Sequence, residues 1–222
     1  MKAWSTPEVT PAGLDGLMLR YDAPVGEPLL AQLRATAAFL RDFPDYREVV
    51  PGYDTIYVRL ADPATALDRA TGQLVSRLET LHAGPLPDLS AGRLHELPVR
   101  YGGASGPDLV RVAERAGLTC AEVIARHAGQ VYRVYAVGFM PGFAYLGLAD
   151  PAIATPRLAT PRAQVPAGSV ALADRQTAVY PAGSPGGWNL IGHCALPLFD
   201  RKARRARLAH GDRVRFVPVG TT

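Results

Sequence analysis

The chain has 222 residues, is 48% hydrophobic and 20% charged, and carries a formal net charge of +4, with a mean hydropathy of +0.02. This composition supplies a core, excludes a disordered or low-complexity chain, and suits one large or two small domains. No stretch reaches the roughly 18 consecutive apolar residues of a membrane helix, and residues 1–7 lack the apolar segment of a secretory signal, so the cytoplasm is the expected compartment.

Leu14–Tyr21 predicts a strand with Leu17 and Leu19 on one face. Residues 27–43 predict an amphipathic helix, with Leu29, Leu33, Ala37 and Leu40 at helical spacing and Pro44 as its stop. Val49 and Val50, the turn Pro51-Gly52-Tyr53-Asp54, and the alternating Ile56, Val58 and Leu60 predict a hairpin. Asp62-Pro63 has the form of a helix start, followed by a stripe of Leu67, Ala70, Leu74, Leu78 and Leu81. The resulting order, β-α-β-β-α, lacks one strand of the ferredoxin-like βαββαβ unit. Residues 83–88 read as a linker, and Arg93–Arg100 is either the missing strand or the first strand of the next domain. These signals divide the chain at 1–90 and 91–222.

Beyond Gly102-Gly103, Pro107–Ala116 predicts a short helix stopped by Gly117. A capping box, Thr119 with Glu122, opens another that ends at Gly129. Val131–Phe139 predicts a strand with Tyr132, Val134, Ala136 and Gly138 on one face. Short strands and loops then continue until Asp212–Val219 supplies a last strand, a pattern of closed barrels and sandwiches. Residues 138–193 are punctuated by Gly and Pro, with aromatic and β-branched residues between. That reads as short strands joined by rigid loops, a scaffold for recognition.

Cys120 and Cys194 form no CxxC pair and read as free thiols, and the five histidines share no metal-ligand spacing, so no metal site is expected. Arg201, Lys202, Arg204, Arg205, Arg207, Arg213 and Arg215 crowd the C-terminal end. Without a nucleic-acid motif they read as a solvated face or a patch facing an acidic partner protein.

The segments GFMPGFAYLG, TPR, VPAGSV, YPAGSPGGWNLIG and GDRVRFVPV resemble the KipI family, also called allophanate hydrolase subunit 1 or the B component of 5-oxoprolinase. PVRYGG, GPDLVRVAERAGLT, EVIARHAGQVYRVYAVGF and PGYDTIYV extend the resemblance over roughly residues 44–219. The resemblance implies an α+β chain, with a small ferredoxin-like α/β N-terminal domain followed by a cyclophilin-like β-barrel. It further implies partners similar to the C and A components of 5-oxoprolinase, and ATP-coupled opening of 5-oxo-L-proline to L-glutamate or processing of a urea-type amide. One family member inhibits a histidine kinase, which gives a non-enzymatic alternative. Two departures stand out: YLGLAD where a second glycine is usual, and His193-Cys194 where the family usually has arginine and threonine.

Opening a lactam with ATP calls for a carboxylate-binding group, oxyanion stabilisation and a positioned water. Arg157 and Arg162, in the twin Thr-Pro-Arg units 155–157 and 160–162, suit a carboxylate or phosphate, although surface arginines also bond loop carbonyls. Ser184-Pro185-Gly186-Gly187-Trp188 reads as an anion nest and substrate wall, or as a tight turn before a core tryptophan. Gln164, Gln176 and His193 are candidate substrate contacts, and His127 is the candidate general base. Phe139, Phe143 and Tyr145 are candidates for a pocket wall or for core packing. No P-loop is present, so ATP is expected at the level of the complex.

Overall fold

The computed structural model describes residues 4–86 and 92–220. The chain divides into two compact units, 1–91 and 92–222. The linker read at 83–88 lies partly outside the described residues.

In the first unit, β1 (Glu8–Pro11), β2 (Gly16–Arg20), β3 (Tyr46–Pro51) and β4 (Thr55–Leu60) form an antiparallel sheet in the order β1-β2-β4-β3. Helices α1 (Glu27–Arg41) and α2 (Leu67–His82) share its core. Leu17, Leu19, Ile56 and Val58 bury one sheet face against Leu33, Leu40 and Leu74. This is the ferredoxin-like arrangement with one change of connectivity. The edge position beside β2, expected from a strand after α2, is taken by β1 from the N-terminal side. The segment 93–100 belongs instead to the second unit. Helix α2 also begins later than Asp62-Pro63 suggests. Asp62 caps only a turn, accepting from the Ala64 N–H at 2.9 Å, and the helix starts at Leu67.

In the second unit, β5 (Leu94–Tyr101) leads to α3 (Leu109–Ala116) and α4 (Cys120–Ala128). The capping box forms as the sequence predicts: the Glu122 N–H donates to Thr119 Oγ1, and the Thr119 N–H donates to Glu122 Oε2. The strands after α4 are β6 (Val131–Val137), β7 (Ala144–Gly147), β8 (Arg162–Val165), β9 (Ser169–Ala173), β10 (Gln176–Val179), β11 (Ser184–Gly186), β12 (Asn189–His193), β13 (Phe199–Asp200), β14 (Arg205–Ala206) and β15 (Arg213–Pro218). Seven strands close a barrel in the order β10-β7-β6-β15-β5-β12-β9, with β9 pairing back to β10. Among the described pairings, only β15 and β5 run parallel. β8 pairs with β11, and β13 with β14, as two-stranded ribbons.

Inward-facing Leu97, Val99, Tyr132, Val134, Leu146, Val170, Leu172, Ile191 and Phe216 fill the barrel, joined by Val112 and Val123 of the two helices. Period-2 alternation then puts the small residues Ala171, Ala173 and Ala178 on the outer face. Their size lets loops lie close to the wall, and a second cluster forms there from Phe143, Val165, Tyr180, Trp188 and Leu190. Strand β6 is shorter than the sequence pattern indicates. It ends at Val137, and a bulge between Val134 and Ala136 turns Tyr135 inward, which breaks the simple alternation.

Candidate functional site

The outer cluster is where the Gly- and Pro-rich loops meet, and four aromatic rings build its wall. Phe143 packs edge-on against Tyr145, Tyr180 and Trp188 at centroid separations of 4.8, 5.3 and 5.9 Å. Phe139 caps the wall at 5.4 Å from Phe143. It is 64% exposed and adopts φ 69, a left-handed conformation that costs a bulky residue about 1–2 kcal/mol. An exposed aromatic ring held in a strained backbone marks a recognition rim.

Two arginines stand beside this wall. Arg157 places its guanidinium 5.9 Å from the Trp188 ring centroid. Arg162, on β8, donates from Nη2 to Asp108 Oδ1 at 2.8 Å. Asp108 precedes α3, but its side chain does not cap that helix. Its other oxygen accepts the Leu190 N–H at 2.7 Å, so the carboxylate fixes Arg162 to the barrel wall. The Nη1 of Arg162 is buried and has no hydrogen-bond partner among the described residues. A buried, unsatisfied donor on a guanidinium costs on the order of 1–3 kcal/mol or more, which an acceptor would recover.

Both arginine charges reach Tyr180. Burial pushes its phenol above the ordinary value, against the pull of Arg157 and Arg162, so at neutral pH it is an O–H donor. Gly186 lets the backbone pass against this phenol ring, since a Cβ there would collide with it. The loop carrying Arg157 is pinned at several points. Thr155 bridges to Asp174, the Leu158 N–H donates to the Gly187 carbonyl at 2.7 Å, and Asn189 Nδ2 donates to the Pro156 carbonyl at 3.0 Å.

The remaining sequence candidates fall elsewhere. His127 is fully buried inside the barrel, not at the aromatic wall. Thr177 Oγ1 donates to the Ala171 carbonyl at 2.9 Å, which leaves it to accept from His127 Nε2 at 2.8 Å. His127 Nδ1 then accepts from the Tyr101 hydroxyl at 2.7 Å. The imidazole stacks on Phe216 at 4.5 Å, and burial pushes its pKa down to about 3. With both ring nitrogens engaged and no exposed surface, His127 is a structural residue and not a general base. The helix-end histidine expected to meet terminal carbonyls instead turns into the core.

Ser184, Gly186 and Gly187 do not form an anion nest. The segment pairs as strand β11, and neither glycine takes the positive φ that a nest requires. Ser184 Oγ donates to the neighbouring Pro185 carbonyl at 3.1 Å. Trp188 is 5% exposed and belongs to the wall, so the core-tryptophan and wall readings both describe it. Gln164 is exposed on β8. Gln176 opens β10, four residues and about 13 Å of strand before Tyr180. His193 shares a hydrogen bond of 3.1 Å with the Ala167 carbonyl at the turn before β9. Its neighbour Cys194 faces the barrel core, so they form no thiol–imidazole pair.

Asp108 and Tyr180 are the members that sequence reasoning missed. Asp108 looks like a helix cap, and its partner Arg162 lies 54 residues away. Among the described residues no three His, Cys, Asp or Glu side chains gather as a metal site, and no helix is long and apolar enough to cross a membrane.

Residues 7–209 match the family model described as carboxyltransferase domain, subdomain C and D. The chain is 41% identical to the 5-oxoprolinase B subunit of Escherichia coli O157:H7, covering 93% of both proteins. It is 34% identical to the Bacillus subtilis protein of the same name, covering 96% of this chain and 92% of that one. Among solved structures, TTHA0988 superposes with a TM-score of 0.79 at 37% identity, and 94% of this chain matches 40% of that longer one. The Kluyveromyces lactis urea carboxylase matches 99% of this chain and 23% of its own, with a TM-score of 0.73 at 13% identity, a likeness of fold alone.

Proposed function

Because this chain belongs to the carboxyltransferase domain family, subdomain C and D, we propose that it serves as the B component of an ATP-dependent 5-oxoprolinase complex. The complex opens 5-oxo-L-proline to L-glutamate. The observation that carries this reading is the corner where Arg162, with one buried N–H unpaired, stands beside Arg157, Tyr180 and Trp188. 5-Oxoproline is a flat five-membered lactam bearing a carboxylate. A guanidinium fork suits the carboxylate, the aromatic wall suits the ring, and a neutral phenol O–H suits the lactam oxygen.

These side chains bind and polarise, and none is a base at neutral pH apart from Asp108, which is committed to Arg162 and Leu190. The water-activating group and the ATP-dependent activation of the amide therefore belong to partners of the A and C type. The test is reconstitution. The purified chain mixed with both partners, 5-oxo-L-proline and ATP releases glutamate and ADP, while the chain alone releases neither. A complex that assembles, as judged by size, but makes no glutamate refutes the proposal.

A further inference from the structure

The C-terminal basic run is not spread over a solvated face. Strands β13 and β14 make a short hairpin whose turn holds Arg201 and Lys202, and Arg204 adopts φ 50 there. With the start of β5, this hairpin encloses a cavity of about 570 Å³. Arg93, Arg201, Lys202, Arg205 and Arg207 line it, and Phe199 provides an apolar side. It shares no lining residue with the Arg157–Arg162 site.

The acids here are already committed. Asp200, the one carboxylate among the lining residues, accepts the backbone N–H groups of Lys202 and Ala203 at 2.9 and 3.0 Å, which shapes the turn. Asp212 nearby accepts from the Arg93 and Ala209 N–H groups and pairs with His95 at 3.0 Å. Arg207 spends Nε on the Pro197 carbonyl. The side chains of Arg93, Arg201, Lys202 and Arg205 make no ion pair or hydrogen bond among the described residues.

Like charges converging in a concave site repel one another and focus a positive field, an arrangement stabilised when an anion enters. The volume lies within the roughly 300–1,000 Å³ of small-ligand sites. Guanidinium forks suit phosphate oxygens bidentately. We propose that this cavity binds a triphosphate chain, whether of a nucleotide or of an inorganic polyphosphate. The inference concerns binding by this chain alone and does not depend on the function proposed above.

Calorimetric titration of the purified chain at fixed ionic strength tests it, using ATP, inorganic tripolyphosphate and AMP. One ATP or one tripolyphosphate binds per chain, and AMP binds at least about tenfold more weakly. Equal affinity for the first two means that the phosphate chain alone is read, whereas tighter ATP binding identifies the nucleotide as the source. The double variant R201E/R205E weakens binding at least about tenfold, and R201Q/R205Q does so less steeply. R111E/R115E, the same charge change on exposed positions of α3, leaves binding within about twofold. The proposal is overturned if the α3 variant loses as much as the cavity variant. It is equally overturned if neither triphosphate binds, including the case where a glutamate-rich peptide binds in their place.

Discussion

Replacing His127 by glutamine removes an imidazole that joins Tyr101 to Thr177 and stacks on Phe216. A glutamine amide reaches one hydroxyl at most, so one buried polar group goes unpaired, at about 1–3 kcal/mol. The lost ring contact adds about 0.5–1.5 kcal/mol. The barrel unit of H127Q is therefore about 2–4 kcal/mol less stable at pH 7. The pH dependence identifies the cause. Burial lowers the folded-state pKa of His127 from 6.5 to about 3, so between these values the unfolded chain binds more protons than the folded one. The associated stability is present above pH 6.5 and is lost as pH falls toward 3. Between pH 7 and pH 5 the wild type gives up about 2 kcal/mol from this group, whereas the glutamine variant gives up none. The gap between the two proteins thus narrows by about 2 kcal/mol. Urea unfolding followed by Trp188 fluorescence in a Trp4→Phe background measures it. His82, also lowered by burial, lies in the other unit, is present in both proteins and cancels from the comparison. Parallel pH profiles for the two proteins, or an undiminished stability with a lost activity in the complex, would refute the structural assignment of His127.

Three further outcomes rest on the same geometry. R162A leaves the Asp108 carboxylate nearly buried without its cation and lowers stability by about 2–4 kcal/mol, whereas D108N retains an acceptor for the Leu190 N–H and loses less; thermal melts rank the two. R157A removes an exposed side chain that touches only the Trp188 face, so stability changes by less than about 0.5 kcal/mol while the KM for substrate in the complex rises. Burial also pushes the Cys194 thiol up, so a thiol-specific reagent titrates at most Cys120 in the native chain and both cysteines after denaturation.

Much of the barrel is written in local signals. The capping box at Thr119–Glu122 and the left-handed Gly117 each specify a helix end with neighbouring atoms only, and the structure realises both. Placement of β1 depends on a non-local competition for the edge of β2, which no run within residues 8–11 announces. The start of α2 shows the other failure: Asp62-Pro63 satisfies helix-start chemistry, yet the turn it caps is complete before Leu67. At the site, the proline-stiffened arginines and Trp188 were legible because rigid loops announce themselves in sequence. Asp108 and Tyr180 were not, because their roles come from what folds against them, Arg162 and Gly186 respectively. His127 was misread for the same reason: its chemistry is set by a barrel interior assembled from β5, β10 and β15.

The central claim, that this chain supplies the carboxylate-binding corner of a 5-oxoprolinase, is tested most directly by steady-state glutamate release from complexes reconstituted with wild-type or R162A chain at matched assembly. The account predicts that the KM for 5-oxo-L-proline rises at least about tenfold, as loss of a charge-assisted contact requires, while the KM for ATP stays within about twofold. An unchanged KM for 5-oxo-L-proline in a fully assembled R162A complex would contradict it.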